Sequence, residues 1–272
     1  MSGDALTHDK GPLLGQQVVG SEQYDPSLLF PVPRSNARAS LPEQRFQGFG
    51  EDIWHAYELS WLSAAGMPQA FVGTFAIPAT SANLIESKSL KLYLNSLNNH
   101  RFTSAEAARQ TIVRDLSEVA GAPVSLTLGS PEDPAFRGED LPGSCLDDLE
   151  VTVPDAADPV LLTGVAGDGL LYTHLMRSLC PVTAQPDWAT VVVETRGVAP
   201  ESPGLLRYLL AYRNHQEFHE QCVERIYTDI LDRLQPDYLS VHALYTRRGG
   251  LDISPWRCSE HQPAPRYRLN RQ

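Results

Sequence analysis

The segment Ser178-Leu179-Cys180-Pro181-Val182-Thr183-Ala184-Gln185-Pro186-Asp187-Trp188 places a thiol and a carboxylic acid seven residues apart. Its two prolines, and its lack of helical or alternating periodicity, make it a fixed loop between two apolar, β-branched runs. Pro181 removes one backbone donor and sets one dihedral beside Cys180, so the loop can hold the thiol still. A free thiol of pKa about 8.5 is only slightly ionised at neutral pH, so a nucleophilic Cys180 needs a proton carrier nearby, and Asp187 is of the right type. The same residues also fit a plainer role, with Cys180 a small buried hydrophobe and Asp187 the cap of a turn before a strand at Trp188.

Phe218-His219-Glu220 opens a long helical pattern whose buried face is marked by Val223, Ile226, Ile230 and Leu234, with His219 on that face one turn earlier. A carboxylate at Glu220 is favoured by the open N–H groups and the helix dipole, by roughly 0.3–1 kcal/mol. These residues read either as a hydrogen-bonded core histidine beside a helix-start charge, or as a pocket wall made of an aromatic plane, a proton relay and an acceptor. A carboxylate only accepts, so it matches a ligand edge with two adjacent N–H donors, as guanine-like bases carry; Glu86 offers a second acceptor. Arg247-Arg248-Gly249-Gly250 reads as a β-hairpin turn with exposed arginines, or as an anion site where glycine lets backbone N–H groups approach a phosphate. Lys88, near another helix start, permits the same. No GxGxxG follows a strand, so a dinucleotide here is not held in the Rossmann manner. Cys222 lies toward the buried side of its helix, and Cys145 and Cys258 have no evident base nearby; all three read as structural.

The elements that must position these groups follow from periodicity. Residues 1–50, rich in Gly, Pro, Gln and Ser, form an arm whose stretch from Tyr24 to Arg34 is apolar enough to dock. Strands are expected at Ile53–Leu62 and Gln69–Ile77 around the Gly66-Met67-Pro68 turn. An amphipathic helix runs from Glu86 to Leu97 with Ser87 as N-cap, and a second opens with Thr103-Ser104-Ala105-Glu106 and stops at Gly121. Strands at Ala122–Leu128 and Leu149–Val153 flank a Pro/Gly-rich acidic connection, Ser130–Ser144, read as solvated. The order then repeats: strands at Gly169–Met176 and Trp188–Thr195, helices at Leu205–Tyr212 and Phe218–Leu234, strands at Tyr238–Tyr245 and Leu251–Ile253. An offset of 115 residues superposes Glu86, Ser87, Leu90, Tyr93, Leu94, Asn99 and His100 on Glu201, Ser202, Leu205, Tyr208, Leu209, Asn214 and His215. A duplicated ββααββ unit is the simplest account, giving an α+β fold with antiparallel sheets joined and helices on one face, divided as arm 1–50, module 51–155 and module 156–272.

Composition narrows the function. A net charge of −11 disfavours a nucleic-acid surface. No run of 18 apolar residues and no basic-then-apolar N-terminus point to a membrane span or signal peptide, so a cytosolic protein is expected. Four widely spaced cysteines without a CxxC pair argue for free thiols and against a zinc ribbon. A free small molecule is the expected substrate.

Taken together, Glu86-Ser87-Lys88-Ser89-Leu90-Lys91, the loop from Leu179 to Trp188, Phe218-His219-Glu220 and Arg247-Arg248-Gly249-Gly250 resemble the NADPH-dependent 7-cyano-7-deazaguanine reductases. These are the nitrile reductases of queuosine biosynthesis, a tRNA modification, in their long form with tandem tunnelling-fold units. The arm segment Leu29-Phe30-Pro31-Val32-Pro33-Arg34 extends the likeness over nearly the whole chain, the acidic connection excepted. The resemblance implies Cys180 as nucleophile forming a thioimide, Asp187 as proton donor and His219 as its assistant. It implies Ile85, Glu86, Ser87, Phe218, His219 and Glu220 around the deazaguanine, and Ser87, Lys88, Arg248 and Gly249 around NADPH. It also implies a homodimer and no catalytic metal. The competing readings are a cysteine- or zinc-dependent hydrolase of a purine-like substrate and a non-catalytic purine- or pterin-binding module.

Overall fold

Alternating β-branched and aromatic residues in both halves of the chain build one long sheet, and the amphipathic helices bury their apolar stripes on it. In this computed structural model residues 23–44 and 46–272 are described; the first part of the arm lies outside them. In chain order the strands are β1 (Pro31–Pro33), β2 (Phe49–Leu62), β3 (Pro68–Pro78), β4 (Asn83–Ile85), β5 (Ser125–Gly129), β6 (Ser144–Cys145), β7 (Gly164–Ala166), β8 (Gly169–Leu179), β9 (Pro186–Arg196), β10 (Val198–Pro200), β11 (Tyr238–Tyr245) and β12 (Leu251–Cys258). The α-helices are α1 (Arg34–Arg38), α2 (Ser87–Ser96), α3 (Ala105–Ala120), α4 (Ser202–Leu210) and α5 (His219–Leu234). The fold is mixed α+β. Its main sheet has the order β5-β3-β2-β12-β11-β9-β8-β6, antiparallel except for the two-residue pairing of β6 with β8. None of the described helices is long and apolar enough to cross a membrane.

The halves meet at the ladder between β12 and β2, from Leu251 opposite Ala56 to Cys258 opposite Phe49. In the first half Trp54, Phe75 and Ile77 pack with Leu90, Tyr93, Ile112 and Leu116. In the second, Val191, Val241 and Tyr245 pack with Leu205, Tyr208, Val223 and Ile226. The internal likeness has a physical counterpart. The hairpins β2–β3 and β8–β9 are both interrupted by a bulge, between Ala56 and Leu59 and between Thr173 and Met176. Tyr93 and Tyr208, one from each helix pair, donate to Asp115 at 2.7 Å and to Asp229 at 2.5 Å.

Several expectations are corrected. Leu149–Val153 is not a strand: Val151 packs on the second core, but Leu149 and Val153 stay exposed, and the outer edge of β8 is already taken by Ser144–Cys145. On its own side of the main sheet the first half therefore contributes β2 and β3 before its two helices and only β5 after them, while β4 pairs with the arm and β6 with β8. The acidic connection is largely exposed, yet Phe136 packs edge-on to His55 and Tyr57 at 5.5 and 5.6 Å. The loop around Cys180 is shorter than its prolines imply. Ser178 and Leu179 belong to β8 and Asp187 to β9, because Pro186 opens a strand, where its missing N–H costs little.

The docked part of the arm is tied by ions as well as apolar contact. β1 pairs with β4, Leu29 joins the first core, and Arg34 is buried against Asp52 and Ser81 Oγ. Arg38 reaches both oxygens of Glu224 on α5, at 2.9 and 2.7 Å. Arg257 completes the cluster, 2.8 Å from Asp52 and 2.9 Å from Glu224. Burial alone would raise both carboxyls; Arg257 foremost, with Arg34 at Asp52 and Arg38 at Glu224, holds them below their usual values.

Candidate active site

The helix-covered face of the sheet leaves a cavity of about 250 Å³ between the two halves. Cys180, Asp187, His219, Ile85, Glu86, Ser87, Phe218, Glu220, Lys88, Arg248 and Gly249 all line it. Five come from the turn between β8 and β9, from β9 itself and from the start of α5 with its flank, and four from β4 and the start of α2; Arg248 and Gly249 come from the β11–β12 turn.

Cys180 sits at the end of β8 in a loop closed on itself, its N–H donating to the Gln185 carbonyl and its carbonyl accepting from Ala184, both at 2.9 Å. Sheet pairing opposite Ser178 fixes Asp187, so the acid is held by backbone register and not by a turn. One carboxylate oxygen faces His219 Nε2 at 3.2 Å, and the other pairs with the Arg248 guanidinium, which also donates to Gln185 at 2.6 Å. Burial pushes Asp187 upward, but His219 and then Arg248 more than offset it, leaving the carboxyl below its ordinary pKa. The His219 ring stacks on Tyr245 with centroids 3.8 Å apart, and its Nδ1 has no hydrogen-bond partner among the described residues.

Glu220 and Glu86 are both buried at the cavity wall. Burial foremost, then the charge of Asp52, pushes Glu220 up to about 7, with His219 and Arg34 acting the other way. Glu86, not Ser87, is the N-cap of α2: its oxygens accept from the N–H groups of Lys88 and Ser89 at 2.8 Å each. The carboxylate reaches two donors at once, where a serine hydroxyl would satisfy one. Roughly half of its four lone-pair sites remain for a ligand. Its counterpart Glu201 instead accepts from Thr163 at 2.6 Å, so the repeat uses the same residue type in only one half to face the cavity.

The glycine pair at the β11–β12 turn has positive φ at both residues, 58° at Gly249 and 80° at Gly250, as a tight two-residue hairpin requires. A Cβ on Gly249 would fall 2.6 Å from Lys91 Nζ, so the absence of a side chain admits the lysine. Of the pair, Arg247 turns away over the Tyr57 ring while Arg248 faces the cavity. Lys91, Gln185 and Trp54 also line the cavity and were not singled out as site residues from sequence; the i, i+3 spacing of Lys88 and Lys91 carried the signal for the first. The expectation that Cys145 lacks nearby bases fails: Asp147 and His174 lie beside it.

A buried thiol, a carboxylate paired with an imidazole, two further carboxylates and a basic mouth on one cavity define a class by geometry: α+β proteins whose halves enclose a cavity lined by a cysteine and acidic groups. Residues 21–128 match the family model described as nitrile reductase, 7-cyano-7-deazaguanine-reductase N-term, and residues 186–264 that of QueF-like protein. A protein of Stenotrophomonas maltophilia strain K279a named NADPH-dependent 7-cyano-7-deazaguanine reductase is 52% identical over 270 residues, covering 95% of this chain and 97% of its own. Proteins of the same name from Desulfotalea psychrophila and Chromohalobacter salexigens are 51% and 48% identical over 266 residues each, covering 95% of this chain and 96% of theirs. The chain belongs to the family of NADPH-dependent 7-cyano-7-deazaguanine reductases.

Proposed function

We propose that this protein reduces the nitrile of 7-cyano-7-deazaguanine to the aminomethyl group with NADPH, the queuosine step named for its relatives, and that it does so through a covalent adduct on Cys180. The observation that carries the mechanism is the gathering of Cys180, Asp187, Glu86 and Glu220 on one cavity between the halves.

The chemistry starts from an ionised Asp187. It would take the proton of the Cys180 thiol as sulfur adds to the nitrile carbon, then return it to the nitrile nitrogen, so that S–H is added across C≡N and a thioimide forms. His219, in contact with Asp187, would share that proton and keep the acid oriented. Glu220 and Glu86 would accept the base's N–H donors, with Phe218 against its ring and Ile85 and Ser87 beside it. After the first reduction the thiolate leaves, and the two carboxylates would keep the imine in place for the second. Two hydrides and two protons convert R–C≡N to R–CH₂–NH₂.

The residues at the mouth fit a phosphorylated cofactor: Lys88, Lys91 and Arg248 are cationic, and Gly249 leaves space where a Cβ would meet Lys91. Ser87, Lys88, Arg248 and Gly249 would hold NADPH, which supplies hydride twice. The reading extends to paired tunnelling-fold modules at 51–155 and 156–272 behind the arm, to a homodimer, and to a cytosolic enzyme of small molecules that uses no nucleic acid or membrane.

Incubation with the nitrile base and NADPH should give the aminomethyl product with two NADPH consumed per turnover. A hydrolysed carboxamide or acid, or binding without turnover, would instead support the hydrolase or the non-catalytic binder.

A further inference from the structure

Beyond the cavity, a second set of reactive side chains comes together where the sheet ends. Cys145 lies on β6, Asp147 two residues on, and His174 on β8, with one ligand-type atom from each, a thiol sulfur, a carboxylate oxygen and a ring nitrogen, all within 4.8 Å of one another. None of the three lines the cavity.

We propose that Cys145, Asp147 and His174 form a site for a divalent cation of the zinc class that clips the two-residue strand β6 to β8. Zinc takes sulfur, nitrogen and oxygen donors at about 2.0–2.3 Å, which puts tetrahedral ligands about 3.3–3.8 Å apart. Closing from 4.8 Å needs about 1 Å of side-chain movement; Cys145 is exposed, and its thiol would give up a contact with the Tyr172 hydroxyl to bind. Water would fill the fourth position.

The supporting contacts are those of a ligand shell. His174 falls in the bulge between Thr173 and Met176, where the extra residue re-aims its side chain. Its Nδ1 is engaged by the buried Thr190 hydroxyl at 2.8 Å, which leaves Nε2 for a metal. Asp147 accepts from Thr173 Oγ1 at 2.5 Å and from the His174 N–H at 3.2 Å. The Tyr172 ring packs edge-on to the imidazole at 5.4 Å. These contacts also argue against a nucleophilic triad, since Asp147 is bound to a hydroxyl and a backbone amide and Thr190, not Asp147, orients the imidazole. A pairing of only two residues is a weak hold on a sheet edge, and a metal bridging both segments supplies what the short ladder lacks.

The test uses the full chain stripped by a chelator and titrated with Co²⁺ and Zn²⁺. The wild type should bind one equivalent, show a thiolate-to-cobalt absorption band in the near ultraviolet, and gain thermal stability with zinc. Cys145→Ser should lose the band and the zinc-dependent stabilisation, and Asp147→Asn and His174→Gln should weaken zinc. Thr190→Val, close in size, should weaken zinc about 10–100-fold by releasing the imidazole. Cys180→Ala should keep the band. A band that survives Cys145→Ser, one lost in Cys180→Ala, or no binding at one equivalent would overturn the site.

Discussion

Arg248 and Asp187 are joined across the cavity mouth: the guanidinium from the β11–β12 turn sits on one carboxylate oxygen while His219 faces the other. The carboxyl is thus held between a guanidinium and an imidazole, and in the proposed mechanism it acts as the base. Because Arg248 lowers the Asp187 pKa, Arg248→Ala should raise it. The acid limb of the pH profile for adduct formation, measured by mass without NADPH, should move to higher pH. An unmoved limb would remove Arg248 from the control of Asp187.

In the proposed mechanism the adduct depends on one thiol. Saturating nitrile base without NADPH should add the ligand's mass to the wild type, and peptide mapping should place it on Cys180. Cys180→Ala should stay unmodified; an unmodified wild type counts against the covalent mechanism.

Base recognition should depend on pH through Glu220. A carboxyl can accept two adjacent N–H donors on both oxygens only when ionised, since protonation turns one oxygen into a donor, and this one is pushed up to about 7. Affinity for the nitrile base should therefore fall as pH drops below that value, approaching about tenfold per unit. Glu220→Gln should flatten the dependence, and Glu220→Ala should cost about 1–3 kcal/mol by leaving ligand donors unpaired. Titration calorimetry with Cys180→Ala protein separates this binding from the chemistry.

In the proposed reading, cofactor recognition falls to the basic mouth. Lys88→Ala should raise the KM for NADPH more than that for the nitrile, as steady-state kinetics in each substrate would measure. The reverse order would place Lys88 in the base pocket instead.

Arg257→Met tests the buried ion cluster. It leaves Asp52 and Glu224 short of their main counter-charge, and a broken buried pair costs about 3–5 kcal/mol, which urea unfolding would read. Both carboxyls have lowered folded pKa values, so the cluster's contribution is present above about pH 4, near the unfolded values, and is lost as pH falls through the folded ones. The variant should lose stability less steeply with acid than the wild type.

Local rules were enough for much of the fold. The αL stop at Gly121 and the glycine pair after Arg248 depend on neighbours a few residues away, and the structure has both; at the start of the same helix the expected box from Thr103 to Glu106 gives way to a cap one residue on, Ser104 Oγ accepting from the Ala107 N–H. Two local readings failed for long-range reasons. Leu149–Val153 alternates like a strand, but the outer edge of β8 is already taken by β6, and the proline-marked loop at 180 gives up Ser178, Leu179 and Asp187 to strands because a partner strand is present. The cap at Glu86 was missed because a carboxylate was assigned only to ligand binding. The association of Cys145 with His174, and of Arg34 with Asp52, comes from folding and leaves no periodic trace.

The arm's two guanidinium groups have a further consequence. Arg38 finds its carboxylate partner 186 residues downstream, on α5. During synthesis Arg34 can meet Asp52 within the first half, but Arg38 emerges long before the carboxylate of Glu224 and reaches it only once α5 is in place. Full settling of the arm therefore follows the joining of the halves, and a chain that mispairs them leaves Arg38 without Glu224.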